Sequence, residues 1–454
     1  MKNKRILQVL ALPFISLFAL SSCNEGENSS LTYVENHEIY GSNATYDIFN
    51  NKKITVGMWV TPPDNYRSDE YFKLIAESGI NMVNGFAYSE NTEEEVKTVL
   101  EYCDKYNLNY LFASLEIEND IRKYNQDKNK EHIDHTMSLI DKFASYKSFA
   151  GALFIDEPNS SLFDAIGDFF TVFKEKYPNK LAYVNMLPPY ALAGTGYSRY
   201  EDYVDGWFNK TNSTIFSYDH YPLIDANPTQ EGYSYEYQDY YYSLDILRNK
   251  TLNKGVPLWT FAATLGYEHQ SEYSRREPSR EDLRWTVFSN LAFGAKAIQY
   301  FCFFTPSQDS FNDAMITRGG VKTKRYDYVK EVNNEFKNYE EILVNADAIG
   351  VMMNDYRRNS YYLYDEPLQS FGPIRSVDGN KYLIGCFTDK DNGNKTVMIT
   401  ATTPRDDIDI TLNMYNNITE VEAYIQGVKQ TLKVTDGKLK LKINKGDSVV
   451  ISFK

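Results

Sequence analysis

The chain has 454 residues, 42% hydrophobic and 24% charged, which is enough apolar material for two or three packed domains and too much for wholesale disorder. With 48 Lys and Arg against 62 Asp and Glu, its net charge of -14 repels phosphate backbones and argues against a nucleic-acid partner. Four scattered cysteines, Cys23, Cys103, Cys302 and Cys386, are too few for a disulfide scaffold or a zinc ribbon.

Lys2, Lys4 and Arg5 precede an apolar run from Ile6 to Leu20 that ends Leu20-Ser21-Ser22-Cys23. A basic end, a short apolar stretch and small residues describe a secretory signal, because a spanning helix needs about 20 apolar residues. The Leu-Ser-Ser-Cys ending resembles a bacterial lipobox. That likeness implies a signal peptide over residues 1–22 and lipid attachment at Cys23, which anchors the chain to the outer membrane. Asn24-Glu25-Gly26-Glu27 is similar to the acidic export signals of Bacteroidetes surface lipoproteins. Residues 23–49, rich in Asn, Ser and Glu, read as a tether.

From Lys53 short apolar runs alternate with amphipathic ones. The strand candidates are Ile54–Val60, Ile80–Phe86, Tyr110–Leu115, Ala150–Ile155, Ala182–Leu187, Ile215–Tyr221, Pro257–Ala263 and Ala297–Phe304. Helical spacing marks Thr92–Tyr106, His135–Ala144, Ser161–Tyr177, Arg280–Phe293 and a last helix around Tyr326–Val344. This alternation calls for a parallel sheet, and its length suits a (β/α)8 TIM barrel over residues 50–345. An open doubly wound sheet is disfavoured because no Gly-rich phosphate turn follows any strand. Residues 346–454 then change to short alternating runs: Tyr382–Phe387, Thr396–Thr400, Ile408–Leu412, Val421–Ile425, Leu439–Ile443 and Ser448–Phe453. Turn residues between them describe a small C-terminal antiparallel β-sandwich that caps the barrel.

Barrel active sites sit at the C-terminal strand ends, so the residues finishing each run carry the functional signal. The fourth run ends Asp156-Glu157-Pro158. Pro158 is expected to keep Glu157 extended, so that Asp156 and Glu157 point oppositely. The sixth ends Asp219-His220-Tyr221-Pro222, where the same rule puts Asp219 and Tyr221 on one face and His220 on the other. Other strand-end groups are Trp59, Asn84, Tyr88, Glu116, Asn185, Trp259, Gln299 and Tyr300. Aromatic faces beside amides and hydroxyls fit the two sides of a pyranose ring, so Trp59, Tyr88, Glu116, Asp156, Asn185, Tyr221, Trp259 and Tyr300 are the candidate sugar contacts.

Asp156-Glu157-Pro158 resembles the Asn-Glu-Pro motif that carries the acid/base Glu of clan A glycoside hydrolases, with Asp in place of Asn. Ser217–Leu223 (SYDHYPL), Pro257–Phe261 (PLWTF) and Leu283–Pro306 are similar to barrel proteins related to the β-galactosidase-like family 42 enzymes. The resemblance implies glycosidase activity, O-glycosyl hydrolysis of a poly- or oligosaccharide, with Glu157 as proton donor. One departure stands out. The clan's nucleophilic Glu ends strand seven, where this chain has Ala262, Ala263 and Thr264. The second carboxylate is then Asp219 or Glu268, with Glu116 a further choice. Without any second carboxylate the chain is a glycan-binding surface lipoprotein that turns nothing over.

Metal chemistry is a poor expectation, because only His132 and His135 lie close together and no third ligand is evident. Each internal cysteine reads as a small buried hydrophobe. No cofactor is expected. The expected partners are a carbohydrate, the membrane through the lipid anchor, and other glycan-utilisation lipoproteins.

Overall fold

The computed structural model describes residues 52–86, 92–224, 239–268, 274–354, 363–415 and 418–453. The signal, the tether, Cys23 and Tyr88 lie outside them. Eight parallel strands close a barrel in chain order. They are β1 (Thr55–Met58), β2 (Met82–Asn84), β3 (Asn109–Ala113), β4 (Phe149–Asp156), β5 (Leu181–Met186), β6 (Phe216–Tyr218), β7 (Leu258–Ala263) and β8 (Ala295–Phe301). Each overlaps one of the expected runs.

The helices between them start where side chains can cap. Thr92 accepts the Glu95 N–H while the Glu95 carboxylate accepts the Thr92 N–H, opening helix Glu93–Tyr106 with a reciprocal box. Val96, Val99, Leu100 and Cys103 then line its buried stripe. Ser279 and Asp282 repeat the device at helix Arg280–Ala292. That helix is buried from Asp282 to Ala292, because the barrel covers one side and the sandwich the other. The expected last helix is two, Lys324–Lys337 and Glu340–Val344.

Among the described residues nine antiparallel strands follow: β9 (Ala346–Met353), β10 (Ile374–Asp378), β11 (Tyr382–Asp389), β12 (Lys395–Ala401), β13 (Ile408–Met414), β14 (Glu420–Ile425), β15 (Val428–Lys433), β16 (Lys438–Ile443) and β17 (Ser448–Phe453). Strands β9, β10 and β15 fall outside the expected runs. The order is β10-β13-β16 in one sheet and β15-β14-β17-β12-β11-β9 in the other. Alternation along β11 divides the two cores. Tyr382, Ile384 and Cys386 pack between the sheets, while Leu383 and Phe387 join the barrel core. Between those last two, Gly385 lets helix Arg280–Ala292 lie directly on the strand; a Cβ there would sit 2.1 Å from the Ala292 carbonyl oxygen. Nearby, the fully buried Arg284 binds Glu335 (2.7 Å) and Asp447 (2.9 Å), joining two barrel helices to the turn before β17.

Candidate active site

Strand pairing sets one row of residues at the C-terminal end of the barrel: Asp156 lies opposite Asn185, and Asn185 opposite Ser217. Ser217 Oγ donates to Asn185 Oδ1 (3.1 Å), which turns the amide so that Nδ2 donates to Asp219 Oδ1 (2.9 Å). Behind this row, Tyr183 Oη lies 2.8 Å from Ser217 Oγ and 2.9 Å from Gln299 Oε1. Gln299 Nε2 donates to Ser217 Oγ (3.0 Å), and Asn84 Nδ2 donates to Gln299 Oε1 (2.8 Å). Gln299 can cross the barrel because Gly57 leaves it room; a Cβ on Gly57 would stand 3.0 Å from Gln299 Cγ. A continuous polar chain thus runs from Asn84 to Asp219 through an interior that is otherwise apolar.

Glu157 extends the ladder by one residue, its N–H donating to the Asn185 carbonyl (2.8 Å). Its backbone is left-handed, with φ of 47°, and not extended as Pro158 led us to expect. That conformation disfavours a non-glycine residue by roughly 1–2 kcal/mol. The turn also corrects the expectation that Asp156 and Glu157 diverge. The Glu157 carboxyl hydrogen-bonds that of Asp219, and both Asp219 and Asp156 act on it electrostatically.

Loss of water is the first cause of every shift in this cluster. Burial, then the charges of Asp219 and Asp156, and then the hydrogen bond to Asp219 push Glu157 well above the usual carboxyl range. Burial and the Asp219 charge push Asp156 up to about 8, against the opposing Asn185 amide. Burial also raises Asp219, but hydrogen bonds from Asn185 and Glu157 favour its anion. These causes favour the proton on Glu157 and the charge on Asp219.

Aromatic rings line the apolar side of the mouth. Trp59 meets Phe261 edge-on (5.5 Å between centroids) and Phe86 at 6.1 Å, while Tyr221 lies 5.4 Å from Phe301 and 6.5 Å from Phe261. Burial holds Tyr221 well above the ordinary phenol range, which keeps it neutral. His220 turns away as expected, its Nε2 2.9 Å from Asp239 Oδ1. Tyr190, which sequence reasoning missed, is 40% exposed beside it, edge-on to His220 and 5.7 Å from the Arg275 guanidinium. Its signal was a Pro-Pro-Tyr placed just after strand five.

Other expected contacts lie elsewhere. Tyr300 points outward, because Gln299 takes the interior face and alternation sends the next residue to the helices; its Oη donates to Asn333 Oδ1 (2.7 Å). Trp259 is 2% exposed, its ring spent on Tyr183 (5.9 Å) within the barrel core. Glu116 is no strand-end residue. Ser114 stops β3 and caps helix Leu115–Asp127, so the Glu116 carboxylate lies exposed 3.5 Å from His135. Glu268 is exposed on the segment after β7, where its N–H donates to the Ser310 carbonyl (2.8 Å). At the end of β7, Ala262 and Ala263 are buried and Thr264 donates its hydroxyl to the Cys302 carbonyl.

A family model for glycoside hydrolase family 42, described as Beta-galactosidase, matches residues 173–339. Over those residues the chain is similar to the family 42 enzymes. Its fold is similar to the β-galactosidase of Bacillus circulans sp. alkalophilus, with a TM-score of 0.60, 9% identity, and coverage of 89% of this chain and 99% of that one. A catalytic mutant of a family 42 β-galactosidase from G. stearothermophilus superposes with a TM-score of 0.57 at 9% identity, covering 89% of this chain and 98% of that one. The match to the β-galactosidase of psychrophilic Marinomonas ef1 spans 65% of this chain and only 62% of that one, at 10% identity and a TM-score of 0.49. No curated protein matches the chain.

Proposed function

We propose that the chain is a glycosidase that hydrolyses an O-glycosidic bond of an oligo- or polysaccharide, with Glu157 as the proton donor and Asp219 as the carboxylate beside it. The observation that carries this reading is a pair of buried, interacting carboxyls, Glu157 and Asp219, both tied to Asn185 at the mouth of a barrel similar to family 42. Glycoside cleavage needs one protonated carboxyl for the leaving oxygen and one anion to offset the positive charge that develops at the anomeric carbon. Glu157 is kept protonated by the same burial and like charges that hold Asp219 next to it. Trp59 and Tyr221 offer apolar faces to a sugar ring, and Asn185 fixes the carboxylate.

Reducing-sugar release from a glycan panel tests the proposal. Glu157→Gln and Asp219→Asn should each abolish release, while Glu268→Gln should leave it intact. Release that survives Glu157→Gln removes that residue from the role. Because Ala262 and Ala263 stand where the clan carries its nucleophile, a second reading is a glycan-binding protein, marked by affinity without turnover in the unmodified chain. We also assign Cys23 as the lipid attachment site and the outer membrane as the location, on the strength of the lipobox-like Leu20–Cys23. Cys23→Ala should move the protein from the membrane fraction to the soluble one.

A further inference from the structure

The proposed acid and its partner carboxylate are tied to one residue, Glu157 by its N–H to the Asn185 carbonyl (2.8 Å) and Asp219 by the Asn185 amide (2.9 Å). Two carboxyls flanking an anomeric carbon stand about 5–5.5 Å apart when the second attacks directly, and about 6.5–9.5 Å apart when a water lies between. Glu157 and Asp219 share a hydrogen bond and come from strands β4 and β6, on one side of the mouth. At the end of β7, which pairs with β6, Ala263 joins the barrel interior, Ala262 packs toward the helices, and the Thr264 hydroxyl is already bonded to a carbonyl. Tyr221 is held neutral by burial, so a phenolate does not fill the gap. Among the described residues, the acid and its partner carboxylate stand side by side, and the end of β7 adds no carboxylate to face them.

We infer that the nucleophile is carried by the substrate: the site takes N-acetylhexosaminides, whose acetamide oxygen attacks their own anomeric carbon. This deepens the glycosidase reading above and rests on it. In the first step the acetamide oxygen bonds to the anomeric carbon as the bond to the leaving oxygen breaks. The Glu157 proton passes to that oxygen. The product is an oxazolinium ring whose N–H is retained and donated to Asp219. In the second step water attacks the anomeric carbon, gives its proton to the Glu157 carboxylate, and the ring opens to restore the acetamide. Atoms and charge balance without a protein nucleophile or a cofactor.

Each group then has a task that suits its geometry. Asp219, fixed by Asn185 at 2.9 Å, accepts the amide N–H, orients the carbonyl and offsets the ring's charge. The apolar wall of Trp59, Phe261, Tyr221 and Phe301 around Ala263 suits an acetyl methyl. Attack from the face opposite the leaving group requires the acetamide and leaving oxygen to be trans, which selects β-linked gluco- and galacto-configured substrates.

Aryl β-N-acetylglucosaminide and β-N-acetylgalactosaminide, each compared with the sugar bearing a hydroxyl in place of the acetamide, test the inference on the full chain. We expect cleavage of an N-acetylated substrate at least a hundredfold faster than its hydroxyl counterpart. We also expect a loss of tenfold or more when the acetyl methyl is trifluorinated, since fluorine weakens the attacking oxygen. Equal rates for acetyl and trifluoroacetyl substrates, or faster cleavage of the hydroxyl sugars, would overturn it. If hydroxyl sugars alone are cleaved and Glu157→Gln abolishes that cleavage, glycoside hydrolysis stands and only the acetamide role falls. If no glycoside is cleaved, both fall.

Discussion

Asp156→Asn should make the protein more stable, and increasingly so as pH rises. In the folded chain burial and the Asp219 charge push Asp156 up to about 8, whereas an unfolded Asp titrates near 4. Between those values the folded state holds a proton that the unfolded state has released. The unfolded state binds fewer protons, so stability declines as pH climbs from about 4 to about 8. At about 1.4 kcal/mol per pH unit the full effect would approach roughly 5 kcal/mol. Asp156 keeps part of its surface open to the mouth and shares its titration with Asp219, so solvent screening cuts the figure to about 2 kcal/mol near neutral pH. Asn keeps the shape and the acceptor oxygen but cannot ionise. Thermal unfolding of the two proteins, followed by circular dichroism at half-unit steps across this range, reads the difference directly. The melting temperatures should coincide near pH 4 and separate by a few degrees near pH 8, with the variant higher. A gap that does not change with pH, or a variant that melts lower at the alkaline end, would refute the assigned burial of charge.

Three other substitutions probe separate parts of the molecule. Asn185→Ala removes the donor that holds Asp219 as an anion, so the acid limb of the pH–rate profile should move to higher pH and kcat fall about tenfold to a hundredfold with the fold intact. Arg284→Met strands Glu335 and Asp447 without their buried cation and should lower unfolding free energy in urea by about 3–5 kcal/mol. Gly385→Ala forces a methyl against the Ala292 carbonyl; the same urea titration should show a loss of about 1–3 kcal/mol, with activity per folded molecule unchanged.

The barrel strands were legible because a strand covered on both faces must be apolar along its whole length, and such runs stand out between charged helices. Strand β15 gave no such signal: Val428 to Lys433 are almost all exposed, and only pairing with β14 defines the strand. The break after Lys337 was hidden for a related reason, since Asn338 and Tyr339 contain neither Gly nor Pro to mark it. At the site, period-two alternation with Pro222 behind it separated Asp219 and Tyr221 from His220, because that rule depends only on neighbouring residues. The same rule failed at Tyr300, where strand position was read correctly and face was not; one residue of register exchanges barrel interior for helix packing. Glu157 failed differently. The left-handed turn is held by a bond to the Asn185 carbonyl across the sheet, and no local pattern announces a tertiary constraint of that kind.

A purely structural account of Asp156, Glu157 and Asp219 meets a physical objection. Three carboxyls whose affinities for protons are raised mainly by burial weaken the fold at neutral pH, and uncharged residues of similar shape would fill the same space without that loss. The strained backbone at Glu157 adds to the penalty, as does the polar chain that Gln299 carries across an otherwise apolar interior. Structural ion clusters elsewhere in the chain look different: Arg284 meets its buried carboxylates with a countercharge, whereas the causes acting on Glu157 are burial and other acids. Acids gathered at a barrel mouth are useful when a proton must be held ready near neutral pH and then given away. The two accounts part at the amide variants. A scaffold role lets Glu157→Gln gain stability and lose nothing, while a proton donor makes the same substitution stabilising and inactive.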